Sequence, residues 1–532
     1  MSSPAEIEVF ITRLEARVAP AEKKLKEAWW RLAITGSPEA QEDLVRSGME
    51  FNRLFADRDE FEMVAGWYEG RDALESSLLR RQVEVMYLMF AGLQGDEATL
   101  ERIEELEAEA NAIYGNHRGS VGGKEVGENE VREVLRSSDD ERLRREAWEA
   151  SKTVGGKVEG TVRELARLRN RLAREQGYPD HYHRSLDLQE IDARELHALM
   201  SDLESATDAP FAAFKEDLDR RLKERFQIDE VMPWHLSDPF FQEAPENDSL
   251  DPDRFFRKQS LEELTRRTYD GLGLEVRDVI AKSDLYEKEG KSQHAFCISI
   301  GREFPYDVRV LANLRPDAYW MDTMLHEFGH AVYDKHINPT LPYLLRGCAH
   351  ISVTEAIALM MGALSEDPAW LSSVAGVPPD ELAGAAQKLA ARRRADRLVF
   401  TRWALVMFHF ERILYEDPDR EDLNSVWWDL VERLQMVKRP PGRDEPDWAA
   451  KIHVAAAPVY YHNYVIGHLF AAQLRRHLEE RVTGGTFFRS EVAGRYLQEA
   501  VFGPGARNDW KGTVLGATGE ELNPRYFVES LR

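Results

Sequence analysis

The sequence predicts a mainly α-helical fold in two lobes with one small antiparallel β-sheet, and three observations predict it. Helical periodicity dominates both halves of the chain. A short β-favouring stretch interrupts it between residues 274 and 314. At 532 residues the chain exceeds what one hydrophobic core serves, so two large subdomains are expected.

From about Ala5 to Gln227, apolar residues recur at helical spacing among dense Glu, Arg and Lys, as in LERIEELEAEANAIY (100–114) and VEGTVRELARLRNRLAREQGY (158–178). The Gly-rich GNHRGSVGGKEVGENE (115–130) and the Pro- and Asp-rich QEAPENDSLDPDR (242–254) break the pattern. The second break is taken as the lobe boundary, giving an N-terminal helical lobe over 1–245 and a catalytic lobe over 246–532. HAFCISI (294–300) and YDVRVLANL (306–314) read as strands of the small sheet. Helical periodicity returns at Asp317, with a helix expected over 317–336, and continues to about Glu480. No fixed-period repeat is present, which disfavours a solenoid.

With 43% apolar and 31% charged residues, the whole length is expected to fold. The formal charge of -25 and the lack of a basic block argue against a nucleic-acid partner. Cys297 and Cys348 form no CxxC pair. The N-terminus has no basic start followed by an apolar stretch, and no run of about eighteen apolar residues follows. A cytoplasmic protein without a membrane partner is the expectation; the sequence does not give the oligomeric state.

The chemistry is concentrated in MDTMLHEFGHAVYD (321–334). His326 and His330 are four residues apart, so they share one helical face and reach one ion together, with Glu327 beside them as a base. GCAHISVTEAIALMMG (347–362) supplies Glu355 on another expected helix, completing a two-His, one-Glu set for one Zn2+. His336 is a rival third ligand, six residues after His330. On a continuing helix six residues is about 600°, which turns it away from the ion. Glu366 or an Asp is the alternative if the intervening loop folds differently. Asp322, one turn before His326, is placed to orient an imidazole or simply to begin the helix. In this chemistry the ion acidifies a water and Glu327 accepts its proton.

HEFGH followed by Glu355 in SVTEAIALMMG resembles the gluzincin peptidases of the peptidyl-dipeptidase A (angiotensin-converting enzyme-like) and thimet oligopeptidase/oligoendopeptidase F families. Residues 148–185, VMPWHLSDPFFQ (231–242) and AKIHVAAAPVYYHNYVIGHLFAAQL (450–474) extend the resemblance in order along most of the chain. It implies a deep central channel between helical lobes that admits short, unstructured peptides. It assigns His453 and Tyr464 to the oxyanion, and Lys451 and Tyr461 to a substrate C-terminal carboxylate, with Tyr460 competing for the place of Tyr461. It makes the strand around His294 and Ala295 the edge that pairs with the peptide backbone.

An imidazole and a phenol are suitable donors for charge developing on oxygen, and an ammonium suits a carboxylate. Packing alone also explains the aromatic density of VYYHNYVIGHLF. The converting enzymes' Arg before the oxyanion Tyr is Asn463 here, preceded by His462, so chloride dependence is not carried over. Their acidic residue four places after the third ligand is Leu359. Gln242 approximates a carboxylate-binding Gln, but its offset from His235 is shifted.

The sequence therefore leads to a zinc peptidase, either a peptidyl-dipeptidase or an oligoendopeptidase. A zinc carboxypeptidase removing single residues is the alternative enzyme reading, against which stands the lack of HPF- and HES-type motifs. A catalytically silent helical peptide-binding scaffold is the alternative of another class, against which stands the intact HExxH.

Overall fold

A computed structural model describes residues 3–245 and 251–531. It is 69% helical, and among the described residues the strands form two antiparallel pairs, so the chain is mainly α. The pairs are β1 (Gly119–Val121) with β2 (Lys124–Val126), and β3 (Phe296–Ser299) with β4 (Val308–Leu311). Among the described residues no helix is long and apolar enough to cross a membrane.

The chain divides into two compact units, each built from three segments. One contains Met1–Gln94, Leu250–Leu389 and Ile466–Tyr526; the other contains Gly95–Ser249, Ala390–Val465 and Phe527–Arg532. This differs from the single cut after 245, because the first 94 residues group with the HExxH segment. The expected boundary segment includes 246–250, which lie outside the described residues.

In the first unit, the helix Pro4–Thr35 begins where Ser3 and Glu6 form a capping box, with Pro4 in the first turn. Its buried stripe of Ile7, Phe10, Ile11, Leu14 and Val18 packs on Phe55, Val64, Trp67, Val83, Met86 and Phe90. The helix ends at Gly36 with φ 59, against Gly290 with φ 76. A Cβ on Gly36 would lie 2.3 Å from the Gly290 carbonyl oxygen, so glycine is required by both conformation and space. Trp29 then stacks on Phe296, ring centroids 5.6 Å apart, and braces β3.

The sheet expected over 274–314 is present as β3 and β4, paired Phe296 to Leu311 through Ser299 to Val308. In the second unit, the Gly-rich segment read as a break contains the β1–β2 hairpin. Gly122 and Gly123, with φ 59 and 76, make its two-residue turn.

The expected helix over 317–336 is observed at Ala318–Lys335, and the segment carrying Glu355 is the helix Ile351–Gly362. These two helices pack closely because Gly329, inside HEFGH, presents no side chain. A Cβ there would lie 2.8 Å from Ala358 Cα. Gly329→Ala is therefore expected to push the helices apart. Overpacking of this kind costs about 1–3 kcal/mol, more than the roughly 1 kcal/mol that Ala gains over Gly in a helix. Denaturant unfolding checks the stability, and a zinc titration checks the accompanying loss of metal affinity.

Candidate active site

The HExxH helix starts at Asp317, whose Oδ1 accepts the Trp320 N–H at 2.8 Å. Two and a half turns later, His326 and His330 project from one face, ring centroids 5.0 Å apart. Glu355 arrives from the second helix, with Oε1 3.8 Å from His326 Nε2 and Oε2 3.6 Å from His330 Nε2. Ligand atoms of these three residues lie within 4.8 Å of one another, the one such group of three or more His, Cys, Asp or Glu among the described residues. Gly467 makes room for the carboxylate arm, since a Cβ there would meet Glu355 Cγ at 3.1 Å.

Zn2+ is bound by His nitrogen and carboxylate oxygen at about 2.0–2.2 Å, and a tetrahedron of that size has edges of about 3.3 Å. The two spacings from Glu355 need only a small contraction to reach it. The electrostatics agree. Burial holds His326 down to about 4, and burial together with His326 holds His330 down to about 3, so both imidazoles are neutral donors. Burial also pushes Glu355 up to about 7. Glu327, 8% exposed, is pushed up to about 8 by burial, with the Glu355 charge adding and the Cys297 backbone N–H opposing. Two carboxyl groups in so dry a place favour a cation between them and the imidazoles.

His330 Nδ1 lies 2.8 Å from Thr354 Oγ1. Were Nε2 to hold an ion, Nδ1 would carry the proton and donate it to the threonine oxygen, which would fix tautomer and ring angle. Thr354→Val is expected to lower zinc affinity by about 10- to 100-fold, measured by competition with a chelator of known affinity. The sequence reading overlooked Thr354, although its place beside Glu355 was a usable signal.

The rival residues lie elsewhere. His336 caps the helix end, and its Nδ1 donates back to the Val332 carbonyl at 2.8 Å. Glu366 is not part of the clustered set. Asp322 sits against Gly362, whose missing Cβ would be 3.0 Å from Asp322 Oδ1.

His294 and Ala295 lead into β3. Val310, opposite Cys297, turns its own N–H to Ser283 Oγ at 2.8 Å and its carbonyl to the Asp284 N–H at 3.0 Å. Cys297 is thus in a non-hydrogen-bonded pair, and its backbone groups face away from β4. By alternation Ala295 faces the same side.

The remaining candidates belong to the second unit. His453 opens a four-residue helix, its ring 5.1 Å from that of Tyr461. Its Nδ1 is buried with no hydrogen-bond partner among the described residues, and burial, with Lys451 adding, holds the imidazole down to about 4. Tyr464 lies on the first turn of the helix Tyr461–His477, its ring 5.2 Å from Tyr460 and 5.7 Å from Tyr461. Tyr461 itself is buried edge-on against Trp403, and burial pushes its phenol up.

Lys451 Nζ donates to Gln242 Oε1 at 2.7 Å. The two meet because Asp238 accepts the backbone N–H groups of Phe240, Gln242 and Glu243, a turn that brings Gln242 round. Gln242, set aside on its linear offset from His235, thus lies beside Lys451 in the fold. Burial pulls Lys451 down to about 8, with Asp238 opposing.

A helical chain with a buried glutamate beside a His, His, Glu set is consistent with the metallopeptidase class. Residues 134–532 match the model described as Peptidase family M3, and the chain belongs to that family of gluzincin peptidases, whose members cleave peptides. It is also similar to "Carboxypeptidase 1" of Bacillus subtilis (strain 168), 27% identical over 146 residues. That match covers 26% of this chain and 29% of the relative, so the chain spans less than a third of that protein's length.

Proposed function

We propose that this protein hydrolyses peptide bonds in short, unstructured peptides with one Zn2+ held by His326, His330 and Glu355. The observation that carries this reading is the convergence of those three side chains beside the buried Glu327. The ion, when bound, supplies Lewis-acid polarisation of the reacting oxygens. Glu327 accepts a proton from the attacking water and returns it to the leaving amine. His453 and Tyr464 donate hydrogen bonds to the charge developing on the carbonyl oxygen. His294 and Ala295 offer backbone groups to an extended substrate.

Lys451, with Gln242 and Tyr461, would hold a C-terminal carboxylate, which favours dipeptide release over internal cleavage. This pairing needs the protonated lysine, and burial places its deprotonation near pH 8 in the free enzyme. KM for a free-ended peptide is therefore expected to rise as pH passes through about 8, while KM for the amidated peptide does not follow. Steady-state kinetics on the two peptides across pH 6.5–9.5 checks it.

The name of the Bacillus subtilis relative supports a second reading, removal of single C-terminal residues. Mass spectrometry of digests of one peptide with free and with amidated ends separates all readings. Successive dipeptide loss from the free-ended peptide alone supports the first, single-residue loss the carboxypeptidase, and internal cuts in both peptides an oligoendopeptidase. If zinc-loaded enzyme leaves both intact, the peptide-binding scaffold is favoured.

A further inference from the structure

The first turn of the helix carrying Tyr464 is tied down by two side chains that take no part in the roles above. Val459, two residues before that helix begins, has φ 54. A β-branched residue in this left-handed region is strained and persists only where its surroundings hold it. Glu411, 2% exposed, accepts the Val459 N–H through Oε1 at 2.9 Å. Gln189 Nε2 donates to the Val459 carbonyl at 3.3 Å and to Ser185 O and Oγ at 2.9 and 3.1 Å. The Oε1 of Gln189 accepts from Asn463 Nδ2 at 2.8 Å and from His462 Nε2 at 3.1 Å.

Both backbone groups of one strained residue, and two side chains of the next helical turn, are therefore bound by a single glutamine and a single glutamate. Gln189 is itself aimed by strain. It caps the helix His181–Leu188, the next residue Glu190 has φ 57, and the Ile191 N–H closes back on Leu186 O at 2.9 Å. Glu411 is an expensive choice for a merely structural acceptor, because burying a carboxyl group is unfavourable unless it is well paired.

We propose that Gln189 and Glu411 are positioning residues that hold the Val459 turn left-handed and so fix the direction of the Tyr464 phenol. The inference rests on the reading of Tyr464 as an oxyanion donor. A donor misplaced by about 1 Å loses much of its effect on the barrier, while ground-state binding of the peptide is largely spared.

The test is a double-mutant cycle on zinc-loaded, full-length enzyme with one peptide, reading kcat and KM separately. Gln189→Leu and Glu411→Met are each expected to lower kcat by about 10- to 100-fold with KM changed less than about threefold. Glu411→Gln keeps an acceptor for the Val459 N–H and is expected to stay near wild type. In a Tyr464→Phe background the same substitutions are expected to add less than about threefold, because the group they aim is gone.

Thermal melts and zinc content report folding. Should either apolar variant fail to fold, Gln189→Asn and Glu411→Asp, each one methylene too short to reach Val459, take its place, with Glu411→Gln as the conservative control. Unimpaired kcat in Gln189→Leu or Gln189→Asn, or losses that multiply with Tyr464→Phe, would overturn the inference alone. Wild-type kcat in Tyr464→Phe itself would overturn the oxyanion reading and this inference with it.

Discussion

Glu327→Gln is expected to lower kcat/KM by about 10²- to 10⁴-fold, the usual contribution of a positioned general base. The amide is nearly isosteric with the carboxylate, so packing against its surroundings is kept, and Glu327 is not among the three clustered ligands. Zinc content should stay at about one ion per chain, and the melting temperature should stay within a few degrees. The substitution also removes a buried carboxyl group that burial and Glu355 push up to about 8, so a small gain in stability is consistent with it. Parallel metal analysis and steady-state kinetics check the prediction; a Gln variant with wild-type kcat/KM would exclude Glu327 as the base.

Glu355→Ala is expected to abolish turnover by a different route. The two remaining imidazoles are neutral, so the site loses its one anionic donor and with it both charge and a third coordination bond. Zinc content after dialysis should fall well below one per chain, and the stabilisation that zinc gives the wild type should disappear. For one site that stabilisation amounts to about 4 kcal/mol at a thousandfold excess over Kd. Thermal melts with and without added zinc measure it. A variant that keeps both zinc and its zinc-dependent stability would move the third ligand elsewhere.

Much of this site was legible because its signals are local. Asp317 as cap, the apolar stripe after it and the four-residue spacing of the histidines all lie within one helix, so its limits came out within a residue at each end. The second helix and Glu355 followed from a similarly short pattern. What was not legible depends on distant parts of the chain. The grouping of residues 1–94 with the HExxH segment is set by packing that no local period encodes. Gln242 was judged by its spacing from His235, whereas its place beside Lys451 is decided by the turn around Asp238. Gln189 and Val459 are 270 residues apart, and no motif joins them. The β1–β2 hairpin is a different kind of miss, since Gly122–Gly123 is a recognised hairpin turn that was read only as a break.

The most direct measurement is an anomalous-scattering map at the zinc absorption edge from crystals of the zinc-loaded enzyme. One peak is expected, within about 2.3 Å of His326 Nε2, His330 Nε2 and a Glu355 carboxylate oxygen, with Glu327 beside it and uncoordinated. A map without a peak between those three side chains, or with the ion bound through His336 or Glu327 instead, would contradict the metal centre on which the proposed hydrolysis depends.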